Sequence, residues 1–91
     1  MMISGRATPE ATAAFAARFT SLPGNFRPMF GLAASSLGIG TYLGEMDPET
    51  DELYRESVRA VISGGVNVID SAVNYRFQRS ERAIGAAIRT S

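Results

Sequence analysis

Apolar residues at Ala11, Phe15, Ala16 and Phe19 recur at the spacing of one helix face. Thr8-Pro9-Glu10 predicts where that helix starts. Thr8 offers an oxygen to a free N–H, Pro9 sits where no N–H is needed, and Glu10 suits the positive end of the dipole. Pro23 and Gly24 predict a stop near Ser21, so residues 1–24 read as an N-terminal helical extension. From Phe26 to Leu32 the pattern is mixed and suggests extended chain around Pro28 and Gly31. Ser36-Leu37-Gly38-Ile39-Gly40-Thr41 is a short apolar run broken by glycines, which predicts a buried strand leading into a loop.

Asp47-Pro48-Glu49 repeats the helix-start pattern. Leu53, Tyr54, Val58, Val61 and Ile62 then define an apolar face, with Glu52, Arg55, Glu56 and Arg59 largely opposite. Gly64-Gly65 is the matching stop, because a left-handed residue after a helix is least costly as glycine. Val66-Asn67-Val68-Ile69, rich in β-branched residues, predicts a strand ending at Asp70. Ser80 and Glu81 open another helix, with Ala83, Ile84, Ala87 and Ile88 facing inward. Strand, helix, strand, loop and helix in that order predict an α/β fold with right-handed crossovers and a parallel sheet. Two strands and two helices leave such a sheet with open edges, so further sequence or a partner chain is expected to complete it.

The 91 residues are 45% apolar and 20% charged, a balance that favours folding over disorder. Nine basic and nine acidic residues cancel, which argues against nucleic acid and membrane surfaces as partners. No stretch is long and apolar enough to span a bilayer. The Ala-, Thr- and Arg-rich start faintly resembles a transit peptide, but a short surface helix accounts for it more simply. Cysteine is absent, which fits a cytoplasmic setting and excludes disulfides. Histidine is also absent, and every basic residue is arginine. No thiol nucleophile, imidazole, Schiff-base amine or nitrogen or sulfur zinc ligand is therefore available, and no metal site is expected. Chemistry falls to Asp, Glu, Tyr, Ser, Thr and Arg.

In parallel α/β folds ligands bind at the carboxyl ends of strands, which here are Gly40-Thr41-Tyr42 and Asp70 through Tyr75. Taken singly, Asp70 reads equally as a turn or capping carboxylate, and Tyr75 as a packing aromatic. Taken together, Gly65-Val66-Asn67-Val68-Ile69-Asp70-Ser71-Ala72-Val73-Asn74-Tyr75, then Ser80-Glu81 and Ile84-Gly85, resembles the aldo-keto reductase superfamily. In that family a strand ends in Asp-Ser/Thr-Ala, a tyrosine follows five residues after the Asp, and a Ser-Glu pair precedes a glycine. Leu37-Gly38-Ile39-Gly40-Thr41-Tyr42 is similar to the end of the family's first barrel strand. The resemblance covers residues 26–91 and departs at Arg76 and Gln78, where many members carry glycine, so the loop after Tyr75 is expected to be stiffer or shaped for another substrate.

The resemblance implies a partial (β/α)8 TIM barrel: residues 25–91 would be its first two βα units, in an NADPH-dependent enzyme (NADH being the other option) reducing aldehydes and ketones. Tyr75 matches the general acid that protonates the carbonyl oxygen, and Asp70 the carboxylate supporting it. Thr41 and Asp70 match positions near the nicotinamide. Gly40 would let the backbone approach that cofactor, and Tyr42 would line the substrate pocket. A free phenol titrates near pH ~10, so it needs help to exchange protons near neutrality. In the family that help is a lysine paired with the Asp, plus a histidine. Neither occurs here, so the chain alone is expected to be inactive. Two other readings stay open: a stand-alone relic that completes its sheet with another chain, and a phosphate-binding module built on Arg76, Arg79 and Arg82 near the helix start, although these arginines read more simply as a solvated loop and helix face whose charge Glu81 partly offsets.

Overall fold

The computed structural model describes residues 5–21 and 24–89. The elements are α1 (Pro9–Ala17), β1 (Phe26–Met29), β2 (Leu32–Ser35), β3 (Gly38–Gly40), α2 (Pro48–Ser63), β4 (Val68–Asp70) and α3 (Arg79–Arg89). The mixture of helix and strand is that of an α/β fold. α1 starts as its sequence dictates: the Thr8 hydroxyl accepts from the Ala11 N–H at 3.1 Å. Its α-helical part ends at Ala17, sooner than the expected Ser21, and continues as turns. Pro23, the expected stop, lies outside the described residues.

The segment from Phe26 to Leu32 is extended as expected, but it doubles back at Phe30 and Gly31 and continues to Ser35. β1 and β2 form an antiparallel hairpin, with Met29 paired to Leu32 across a two-residue turn. Phe30 and Gly31 both have positive φ, 51° and 79°, as a tight hairpin turn matching strand twist requires. A phenylalanine there is uncommon, which is why the sequence does not announce the turn. α1 lies on this hairpin. The rings of Phe15, Phe19 and Phe26 cluster, with Phe15 and Phe26 edge to face at 6.0 Å, and the Ala33 N–H donates to the Thr12 hydroxyl at 3.0 Å. α1 and the turn after it thus share a small apolar cluster with the hairpin that follows.

β3 and β4 form a parallel pair in the register Gly38–Val68, Ile39–Ile69 and Gly40–Asp70. The crossover between them is α2. The Asp47 carboxylate caps α2 by accepting from the Thr50 N–H at 2.7 Å. Gly65, with φ of 101°, supplies the left-handed residue after the helix. The N–H groups of Gly65 and Val66 bond back to the carbonyls of Ile62 and Val61, so β4 begins only at Val68. Asn67 stitches the hairpin to the parallel pair, accepting from the Ser35 N–H (2.8 Å) and donating to the Ala33 carbonyl (2.9 Å).

β3 is shorter than expected and only half-buried at Ile39, because its one strand neighbour leaves the other edge uncovered. Among the described residues the buried apolar positions are Ala34, Val58, Ala83 and Ala87. Three of them lie where α2 packs on α3, and alanines on α3 allow close helix approach. Leu53, on the apolar face that the α2 sequence predicts, is 58% exposed, since a single neighbouring helix covers only part of a broad apolar arc.

Candidate functional site

The residues singled out by the sequence meet at one end of the parallel pair. Gly40 and Asp70 are register partners at the carboxyl ends of β3 and β4, and both are exposed. A Cβ on Gly40 would meet nothing within 4 Å, so its backbone faces open space. Thr41 is fully buried, and its hydroxyl donates to the Asp70 carbonyl at 2.8 Å. Its own carbonyl accepts from the Ser80 hydroxyl. Ser80 does not open α3 as the cap that the sequence predicts. It lies in the first turn, fully buried, with its hydroxyl turned across the structure to the end of β3. Thr41 therefore ties both strand ends and the start of α3 together.

Tyr42 and Tyr75 meet edge to face, with centroids 5.0 Å apart and planes at 75°. This geometry suits the aromatic quadrupoles and leaves Tyr42 largely exposed and Tyr75 half-buried. The two loops that leave β3 and β4 thus meet through these two rings. The hydroxyl of Ser71, next to Asp70, is buried without a hydrogen-bond partner among the described residues.

Arg76 is not on a solvated loop. Its side chain is 1% exposed and its Nη2 lies 2.5 Å from Asp51 Oδ1. Its Nε donates to the Glu45 carbonyl at 2.8 Å, and its guanidinium stands 4.8 Å from the centre of the Tyr54 ring. Asp51 Oδ2 takes Arg79 at 2.6 Å. Asp51, not Glu81, is thus the acid that offsets these arginines. Two of the three arginines of the phosphate-site reading are spent on it, and Arg82 contacts Gln78. An open groove of about 330 Å³ between α2 and α3 includes Asp51, Glu52, Arg55 and Arg79, but these pair with one another and it lies away from the tyrosines.

Sequence reasoning does not reveal Asp51 and Arg76 as a pair. One structural signal marks them: Arg76, Phe77 and Gln78 all have positive φ (49°, 59° and 69°) where glycine would be unstrained, so something must hold them.

At the entry to α2, the Asp47 carboxyl is held below the ordinary 3.8, chiefly by hydrogen bonding from Thr50 and further by the positive charges of Arg76 and Arg79. Among the described residues no cluster of acids, histidines or cysteines could hold a metal ion. No described helix is long and apolar enough to cross a membrane.

No protein-family model and no solved structure matches the chain. A segment of 62 residues, 65% of the chain, is 40% identical to aldo-keto reductase YhdN of Bacillus subtilis (strain 168). The chain spans about a fifth (19%) of that protein's length. This part of the molecule is similar in sequence to an aldo-keto reductase, an oxidoreductase by its name.

Proposed function

We propose that this chain is the N-terminal portion of an NADPH-dependent aldo-keto reductase-like enzyme that reduces aldehydes and ketones to alcohols. The observation that carries this reading is that Gly40 and Asp70 are register partners at the carboxyl ends of β3 and β4, while Tyr42 and Tyr75, from the loops that leave those strands, stand ring to ring. Similarity to an aldo-keto reductase over 62 residues supports it independently.

The exposed Gly40 and Asp70 fit the nicotinamide end of the cofactor, where an unobstructed backbone and a carboxylate can face the ring. Thr41 fits the site in another way than the resemblance implies: buried, with its hydroxyl spent on Asp70, it holds the strand ends rather than touching a ligand. NADPH, when bound there, would supply the hydride. Tyr75 then gives its hydroxyl proton to the carbonyl oxygen, Asp70 supports that transfer, and Tyr42 walls the substrate beside it. Arg76 and Arg79 are committed to Asp51, so the cofactor phosphates would be bound elsewhere in the complete enzyme. The lysine and histidine that the family uses to assist the phenol would come from the rest of a barrel, which needs about 250 residues.

The test is reduction of a simple aldehyde by the complete gene product, followed by loss of NADPH absorbance. The expected result is activity that Tyr75→Phe abolishes and that residues 1–91 alone do not show. Undiminished activity in Tyr75→Phe overturns the assignment.

A further inference from the structure

We propose that Arg76 is a positioning residue for Tyr75, holding the loop after β4 by clamping it to the entry of α2. The proposal rests on the reading of Tyr75 as the proton donor.

Three consecutive residues with side chains, Arg76 to Gln78, occupy left-handed backbone. Such residues persist only where their surroundings over-determine them. For Arg76 the surroundings are explicit. Its Nε holds the Glu45 carbonyl in the loop leaving β3, its Nη2 holds Asp51 in the first turn of α2, and Tyr54 of the same helix lies against the guanidinium. One side chain thereby links the loop that carries Tyr75 to the loop that carries Tyr42. The Tyr42–Tyr75 ring contact spans the same two loops, so the phenol stands beside a doubly tied joint.

The chemistry of the clamp is particular to arginine. A planar fork can bond a carboxylate and a carbonyl at once while its face rests on an aromatic ring, which an ammonium cannot reproduce. Nη1 is buried without a partner among the described residues, a cost that bulk apolar packing would avoid. A charged group kept at that cost serves geometry, and the geometry it fixes belongs to the adjacent Tyr75. Small displacements of a reacting group slow a reaction steeply, because the bound geometry must be close to that of attack.

The experiment uses the complete gene product with Arg76→Gly, Arg76→Lys, Asp51→Asn and Tyr75→Phe. Glycine relieves the backbone strain at position 76 while removing the clamp. With Arg76→Gly, kcat is expected to fall about tenfold to a hundredfold, with KM for the aldehyde within about twofold. Guanidinium ion at millimolar concentration should restore part of the rate, and Arg76→Lys should fall between glycine and arginine. If Arg76→Gly does not fold, Asp51→Asn reads the same clamp from its other side. Unchanged kcat, or a loss that follows the folded fraction by circular dichroism and ignores guanidinium, overturns the role of Arg76. An inactive Tyr75→Phe beside a fully active Arg76→Gly sinks this inference alone. A fully active Tyr75→Phe sinks both it and the reading of the site.

Discussion

The Ser80 hydroxyl donates to the Thr41 carbonyl, and this bond anchors the first turn of α3 to the end of β3. Both residues are fully buried, so the carbonyl has no access to water. Ser80→Ala is expected to destabilise the protein by about 1–3 kcal/mol, the cost of leaving a buried acceptor unsatisfied. Urea unfolding of wild type and variant measures it, and a change under about 0.5 kcal/mol, typical of a surface site, would show the bond to be incidental.

Asp51 serves two arginines, whereas Glu52 pairs with Arg55 on the surface. Asp51→Ala leaves the Arg76 charge buried and uncompensated. Breaking a buried pair from one side costs about 3–5 kcal/mol, and the low end applies because the Asp51 side chain is 31% exposed. Glu52→Ala is expected to cost far less, since exposed i,i+3 pairs are screened. Thermal unfolding of both variants in parallel checks the contrast, which equal losses would contradict.

Local signals are enough to read most of this architecture. Thr8, Asp47 and Gly64-Gly65 bound their helices through short-range hydrogen bonds, which the sequence displays directly. The β-branched run before Asp70 likewise marks the end of β4. What stays hidden depends on partners distant in the chain. Asn67 meets Ala33 and Ser35, Ser80 meets Thr41, and Arg76 meets Asp51, each more than twenty residues away. Nothing in the pattern around those residues distinguishes a long-range clamp from a solvated polar group. The hairpin is hidden for another reason: its turn uses Phe30 where asparagine or glycine would have signalled it.

Acid should weaken the entry to α2. The Asp47 carboxyl is lowered in the folded state, so its contribution is fully present above the unfolded value near 3.8 and is lost as pH falls through the lower folded value. Asn at this position keeps an oxygen for the Thr50 N–H but cannot be protonated in that range. Asp47→Asn is therefore expected to flatten the acid limb of the stability curve below pH ~4. A limb of unchanged slope would place the acid sensitivity elsewhere.

Gly40 separates folding from binding. A Cβ there meets nothing within 4 Å, so Gly40→Ala introduces no clash. Glycine inside a strand also carries an entropic penalty that alanine reduces, so stability should stay level or rise by up to about 1 kcal/mol. In the proposed enzyme the open space in front of Gly40 is where the nicotinamide would approach. The added methyl should then raise the KM for NADPH without any loss of stability. Gly44 provides the contrast: with φ of 112° and a Cβ that would fall 2.9 Å from the Thr50 methyl, Gly44→Ala should lower stability without any ligand present. Fluorescence titration with NADPH alongside urea unfolding distinguishes the two positions. If Gly40→Ala binds the cofactor as tightly as wild type, Gly40 is a packing glycine of β3 and the nicotinamide must be sought at another edge of the site.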